Sequence, residues 1–481
     1  MTTTLDRQDI QGLVTRGYST LPRAGFLVFA ITQPTAARAA LGRLARRVTN
    51  GLSEPSDTAV NLAFTSDGLR RLGLETPELG GFPYEFVSGM TAPDRSRFLG
   101  DVGENAPRYW RWGGPATPPV HVLVMLYARD EQRLHRLEEE TRQGALAGGA
   151  LAETIRLGTA ELTGHEPFGF RDGISQPLVE GLSKAEGLSK AAAAGAGGGG
   201  EGDQVVRAGE FVLGYPNEYG LLTDRPLLPS RYDPDGLLPR TPQGAADFGR
   251  NGSYLVFRQL RQDVEAFWGY LDAQTRRPDG SSDPAARDAL AARMVGRWSG
   301  GAPLVHAPRQ DDPALATDND FGYFATDPDG LRCPLGAHIR RANPRDSLDP
   351  RPGSAESVSI GRRHRLLRRG RPYGPDGSGD GTGARGLHFI GLNANISRQF
   401  EFIQHTWLND PDFNGLHDAP DPLVGPRQDN RSTFTEQGRP VRTRHLALPQ
   451  FVTVRGGAYF FLPGLRALHW LCTAAPEGGQ Q

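Results

Sequence analysis

Gly169-Phe170-Arg171-Asp172-Gly173-Ile174-Ser175-Gln176-Pro177 mounts one carboxylate between two glycines, in a run otherwise rich in aromatic and apolar residues. Glycine opens backbone angles closed to other residues and lets a flat ligand approach the chain closely. An acid held there can move protons over such a ligand. The competing reading is a surface turn, because most Asp-Gly pairs bond their own backbone. Phe168, Phe170 and Ile174 are poorly suited to a solvated turn, and a turn alone has no need of Arg171 beside the acid. Two further chemistries are spelled out downstream. His338 offers an imidazole as a metal donor, although a lone histidine among 11 is by default a structural residue. The arginine-dense run from Gly361 to Arg371 reads either as a solvated or phosphate-binding basic face or as a set of permanent cations for an acidic ligand.

The first segment resembles the GxxDG signature of dye-decolorizing peroxidases, haem enzymes in which that Asp lies on the peroxide-binding side. Three other blocks are similar to the same family. The run Cys333-Pro334-Leu335-Gly336-Ala337-His338-Ile339-Arg340-Arg341-Ala342-Asn343-Pro344-Arg345-Asp346 looks like its proximal-histidine block, which makes His338 the iron ligand. Leu367-Arg368-Arg369-Gly370-Arg371-Pro372-Tyr373-Gly374 resembles the block supplying a distal arginine; Arg368 is the match and Arg369 the neighbouring alternative. Gly386-Leu387-His388-Phe389-Ile390 resembles the strand that walls the distal pocket, and gives those roles to Leu387 and Phe389. The blocks stand in the family's order, and the resemblance runs from roughly Asp9 to Leu468, most like the longer fungal and actinobacterial members.

The resemblance implies an α+β fold of duplicated ferredoxin-like domains with antiparallel sheets and flanking helices, divided as residues 1–203 and 204–481, with haem in the C-terminal half. It implies one non-covalent haem b per chain, contacted by Phe170, Arg171, Gly173 and Ile174 of the acid's loop and by Arg341. It also implies an acidic partner for the far nitrogen of His338, for which Asp421 is the candidate and Asp410 the fallback. In that scheme Asp172 is general base and then acid, and Arg368 stabilises the charge that develops as hydrogen peroxide is split. Dyes, phenols or other aromatic donors then return electrons singly. A carboxylate, with an ordinary pKa of about 3.9 against about 6.5 for histidine, stays deprotonated in more acidic solution, so an acid-shifted activity is expected. A haem carrier or iron-release protein of the deferrochelatase kind is the alternative, and a basic RNA-binding protein the third reading.

Composition bounds these readings. The chain has 481 residues, 37% hydrophobic and 23% charged, with a formal net charge of -1. That is an ordinary globular balance with no global attraction to nucleic acid or acidic membranes. No aromatic stacking platform is interleaved with the arginines, which weighs against nucleic acid. Two cysteines, Cys333 and Cys472, build no disulfide framework, and Cys333 lacks the C-x-x-C-H spacing of covalent haem attachment. No apolar run approaches the roughly 18 residues of a membrane span, and residues 1–11 contain no apolar leader core. The expectation is a cytoplasmic protein, or an exported one that has lost its signal, with room for a homo-oligomer.

The elements that must position these residues recur in two rounds. Arg23 to Ile31 reads as a strand, Thr35 to Val48 as a helix, Val60 to Phe64 and Val120 to Tyr127 as strands, and Asp130 to Thr141 as a helix. Downstream, Tyr254 to Arg258 is strand-like, Asp263 to Thr275 helical, Leu387 to Leu392 strand-like and Phe400 to Leu408 helical. Gly181 to Asp203, almost all Gly and Ala at its end, is expected to be a surface insertion. Pro375 to Gly383 is expected to be a mobile loop near the pocket, and Ala474 to Gln481 a frayed tail. Tyr109-Trp110-Arg111-Trp112 and Tyr373 are candidate electron relays to bulky donors.

Overall fold

The computed structural model describes residues 4–74, 81–182, 204–374, 383–427 and 432–473. The expectations for the Gly181 to Asp203 insertion, the Pro375 to Gly383 loop and the C-terminal tail lie outside these residues, apart from Gly181, Leu182 and Gly383. In the N-terminal half, β1 (Arg23–Ile31), α1 (Pro34–Ala45), β2 (Thr58–Phe64), β3 (Val122–Ala128), α2 (Glu131–Leu146) and β4 (Leu151–Gly158) follow one another. The C-terminal half has β5 (Ser253–Gln262), α3 (Val264–Gln274), α4 (Pro284–Val295), α5 (His338–Ala342), β6 (Leu367–Arg368), β7 (Arg371–Tyr373), β8 (Gly386–Asn393), β9 (Val452–Leu462) and α6 (Leu465–Thr473). Between β8 and β9 the chain winds through two π-helical turns, Ser397–Glu401 and Ile403–Leu408.

The duplication is written in the strand order. One antiparallel sheet runs β6-β8-β5-β9-β2-β3-β1-β4, with β7 also on β8. Each half therefore reads second, third, first, fourth, the ferredoxin-like arrangement of β-α-β-β-α-β units. The halves join where Phe461 of β9 pairs with Phe64 of β2.

Local sequence sets the element boundaries. Asp130, Asp263 and Asp283 cap α2, α3 and α4 by accepting the backbone N–H of Arg133, Ala266 and Ala286, which satisfies donors that have no partner inside the helix. Along β1 the side chains alternate: Leu27, Phe29 and Ile31 join one core, Phe26 and Val28 the other. A period of two sorts a doubly covered strand between two layers. Gly296 ends α4 in the left-handed region at φ 101°, and a Cβ there would lie 2.4 Å from Ile339. Glycine is thus what lets α4 close onto α5, the helix that begins with His338.

Phe257 of β5 meets Phe26 of β1 edge to face at 5.4 Å and Trp112 at 5.2 Å, so its ring ties the two halves together behind the sheet. Phe257→Ala is expected to cost about 3–5 kcal/mol, the usual range for emptying a buried aromatic site. Urea unfolding followed by tryptophan fluorescence measures that loss directly.

Candidate functional site

A cavity of about 320 Å³ opens against the face of the C-terminal half that carries Leu260, Leu387 and Phe389. Its size falls within the roughly 300–1,000 Å³ of small-molecule and cofactor sites. Register explains which strand residues reach it. Leu387 pairs with Leu260 and Phe389 with Arg258, and all four line the cavity. His388, between them in sequence, is fully buried on the other face, stacked on Tyr373 at 4.6 Å with Nε2 against the Gly158 carbonyl at 2.9 Å.

His338 opens α5 and lines the cavity. Its Nδ1 lies 2.9 Å from Oδ2 of Asp421, and Nε2 has no hydrogen-bond partner among the described residues. The other oxygen of Asp421 accepts the backbone N–H groups of Leu423 and Val424, both at 2.9 Å. Burial works against charge on both groups, yet each is stabilised by the other. The His338 imidazolium is held above its ordinary pKa by Asp421, and the Asp421 carboxyl below its ordinary value by His338, the Val424 amide and Arg341. Arg368 and Glu166 are near enough to act on His338 as well, Arg368 lowering it and Glu166 raising it. Asp421 is thus the carboxylate behind the imidazole. The fallback, Asp410, instead uses its side chain to accept the N–H of Asp412.

Asp172 lines the cavity together with Phe170, Arg171, Gly173 and Ile174. Its own N–H donates to the Gly164 carbonyl at 2.9 Å, and its Oδ1 accepts the Gly173 N–H at 2.6 Å. The turn reading and the site reading therefore describe one object, an Asp-Gly turn that forms part of a cavity wall. Arg368 is in the same wall: its Nη2 donates to the Ser175 carbonyl and its backbone N–H to Oε1 of Gln176, both at 3.1 Å. Arg369 points elsewhere, donating to the carbonyls of Leu13 and Val14. Strand alternation thus selects Arg368 of the two.

The arginine run is not a solvated face. None of its arginines is exposed, and burial pushes Arg365 down to about 9 and Arg369 to about 10. Arg365 and Arg368 line the cavity, as do Arg171 and Arg297. These residues fit a haem. The walls are largely apolar, the imidazole has a bare nitrogen backed by a carboxylate, and several guanidiniums can meet the acidic side chains of a porphyrin. Neither cysteine lines the cavity.

Arg341 corrects an expectation. It does not line the cavity; its guanidinium is fully buried and donates to the carbonyls of Trp407, Asp410 and Ala419. It holds the segment that delivers Asp421. None of the candidate relays lines the cavity, although the Trp110 indole donates to the carbonyl of Asn105, which does. Trp110, Trp112 and Tyr373 are buried, and Tyr109 is half exposed beneath Arg108. Sequence reading missed Glu166 and Gln262, which line the cavity and bond to each other at 2.6 Å, and the buried Asp101–Arg258 ion pair in its wall. Glutamate and glutamine are so often solvated that neither type carried a signal.

Among characterised proteins, the chain is 31% identical to the dye-decolorizing peroxidase AauDyP1 of Auricularia auricula-judae over 97% of its own length and 87% of that protein. A dye-decolorizing peroxidase of Exidia glandulosa is likewise 31% identical, over 85% of this chain and 75% of its own. The crystal structure of a fungal DyP-type peroxidase from Auricularia auricula-judae superposes with a TM-score of 0.76 at 27% identity, covering 98% of this chain and all of that one. A deferrochelatase of Yersinia pestis is 27% identical over only 47% of this chain and 36% of its own. No protein-family model matches the chain.

Arg341→Ala is expected to remove the donor for three buried carbonyls and destabilise the protein by about 3 kcal/mol or more, given the cost of leaving buried polar groups unpaired. Denaturant unfolding of the haem-free protein tests this. A residue that only contacted the cofactor would leave that stability unchanged.

Proposed function

The chain belongs to the dye-decolorizing peroxidase family, and we propose that its haem-dependent reduction of hydrogen peroxide is carried out by Asp172 and Arg368 with His338 as the iron ligand. The observation that carries this assignment is that His338, Asp172 and Arg368, brought from three separate segments, line one cavity. His338 and the guanidiniums of the cavity would hold one haem b without a covalent bond, and that group would supply the redox chemistry for peroxide reduction and the one-electron oxidation of a dye, a phenol or another aromatic donor. The absence of a thiol from the cavity wall supports the non-covalent attachment.

The work of the protein's own groups follows from their chemistry. Nε2 of His338 would hold the iron, and Asp421 fixes the proton on Nδ1, which leaves the other nitrogen bare and makes it a stronger donor. The carboxylate of Asp172 takes a proton from one peroxide oxygen and returns it to the other, so that water rather than hydroxide departs. The guanidinium of Arg368 stabilises the negative charge that builds on the leaving oxygen. Leu387 and Phe389 narrow the same wall and favour peroxide over larger molecules. Bulky donors then give up their electrons at the surface. A haem carrier would use His338 and the arginines but has no use for an acid and a guanidinium paired on the peroxide side.

His338→Ala is expected to lose or weaken haem binding, seen in the absorption spectrum. Asp172→Ala and Arg368→Ala should keep haem and slow its reaction with peroxide by about 100-fold or more, the usual share of a general acid–base or charge-stabilising group. Stopped-flow mixing with peroxide decides, and parent rates in both variants would remove these roles. The pH dependence follows from the group that must be unprotonated to accept the first proton. On acidification Asp172→His should lose peroxide reactivity at a higher pH than the parent does, because an imidazole is by nature a stronger base than a carboxylate. A pH–rate profile of the two proteins measures the separation.

A further inference from the structure

Glu166 is an acid in the cavity wall to which the peroxide mechanism assigns no task. Its side chain sits inside the loop that ends in Asp172. Oε1 accepts the Phe170 N–H at 2.9 Å; Oε2 accepts the Phe168 N–H at 3.0 Å and the side-chain amide of Gln262 at 2.6 Å. Its backbone closes the same turn, since the Glu166 N–H donates to Phe170 and the Gly169 N–H donates back to Glu166. One step outward His165 bridges Arg171, and one further the Asp172 N–H reaches the Gly164 carbonyl. The loop from Gly164 to Asp172 is thus a small hairpin with a carboxylate as its internal pin.

The pin also fixes the hairpin to the scaffold. Gln262 is the last residue of β5, and the Gln262 N–H donates to Arg385, just before β8, the strand that bears Leu387 and Phe389. The remaining anchors are apolar: Phe168 lies on Phe267 at 4.5 Å and Phe170 stacks parallel to Trp268 at 6.5 Å, both on α3. Aromatic packing resists separation but tolerates sliding, whereas three hydrogen bonds to one carboxylate fix direction. Burial pushes the Glu166 carboxyl above its ordinary pKa and Asp172 adds to that rise, while Gln262 and the two amides oppose it.

We propose that Glu166, tied to Gln262, is the positioning residue that sets Asp172 for proton transfer to and from peroxide. This rests on the assignment of Asp172 made above. Misplacing a reacting group by an ångström costs on the order of 100-fold in rate, so the pin acts on chemistry through geometry alone. Glutamine at 166 keeps one acceptor for the turn, and its amide can donate to Oε1 of Gln262, which has no hydrogen-bond partner among the described residues.

The test uses the haem-loaded protein and four variants: Glu166→Ala, Glu166→Gln, Asp172→Ala and the Glu166→Ala/Asp172→Ala double variant. Glu166→Ala is expected to bind haem with parent stoichiometry and a parent resting spectrum, yet react with peroxide about 10- to 100-fold more slowly. Glu166→Gln should recover much of that loss. At saturating peroxide the KM for a dye should not move. Because Glu166 works through Asp172, the double variant should be no slower than Asp172→Ala alone. Hydrogen exchange gives a readout apart from turnover: the amides of Phe168, Phe170 and Asp172 should exchange faster in Glu166→Ala while those of β8 do not. Parent peroxide rates in Glu166→Ala, additive losses in the double variant, or unchanged exchange at those three amides would each overturn the proposal. Should Glu166→Ala fail to fold, Glu166→Gln carries the same comparison, because loss of one amide bond must still slow peroxide more than it slows the dye. If Asp172→Ala itself reacts at the parent rate, the assignment of Asp172 fails rather than the role of the pin.

Discussion

A carboxylate with no water around it must be met by donors on every side, and the construction of this protein around Asp421 follows from that requirement. The side chain is wholly buried. Two backbone amides and one imidazole N–H supply its hydrogen bonds. Those amides point inward only if the segment from Trp407 to Arg427 is folded tightly upon itself, which turns its carbonyls toward positions that need donors of their own. Arg341 takes three of them, and Arg427 takes Asp421 and Gly425. Burial pushes both guanidiniums down to about 10, and Asp421 offsets part of that cost. Breaking one member of such a set leaves a charge or a carbonyl stranded, which is why the group behaves as a unit. The imidazole is oriented as the outermost consequence of a chain of satisfied donors.

The sheet supplies the complementary constraint. Because side chains alternate at a period of two, β8 sends Leu387 and Phe389 to the cavity and His388 and Ile390 to the core behind it. The same rule parts Arg368 from Arg369. A shift of register by one residue would bring a buried histidine into the site and hide its two apolar walls. Register here is held by eight successive pairs between β8 and β5, and β5 is itself central in the sheet. The duplicated fold thus uses its most thoroughly paired strands to carry the residues that can least afford to move.

How much of this was legible in the sequence depended on what each residue type usually does. Strands that are buried on both faces, such as Arg23 to Ile31, read at their true bounds because nothing but a core strand has that composition. Leu151–Gly158 was missed, since its middle carries Glu153 and Arg156 on an edge that is half open to solvent. Val452–Leu462 was missed as well: Arg455-Gly456-Gly457 looks like a turn, yet the strand bulges there and the indole of Trp112 occupies the space where a Cβ on Gly456 would be. Asp421 was within reach because an imidazole ligand calls for a carboxylate. Arg341 rested on the resemblance alone, and in the fold its guanidinium is drawn to the carbonyls of Trp407, Asp410 and Ala419 instead. Nothing in the sequence could assign Glu166, whose partners are mostly backbone amides.

The contrast between Asp172 and its neighbours carries the argument one step further. Asp421 and Glu166 each meet three donors. Among the described residues Asp172 meets one, the amide of the residue that follows it, and the residue is exposed. A buried acid already met by three donors is suited to holding structure, whereas an acid with few partners is free to accept a proton but does not by itself stay where it is needed. The fold resolves this by dividing the tasks. The residues that lead into Asp172 are fixed through Glu166 and Gln262 and its own N–H through the Gly164 carbonyl, while one carboxylate oxygen is left without a hydrogen-bond partner among the described residues. Position is thereby imposed through the backbone, and reactivity is kept in the side chain. The two glycines suit that division, because Gly169 and Gly173 adopt positive φ angles and close the turn without placing a side chain over the acid.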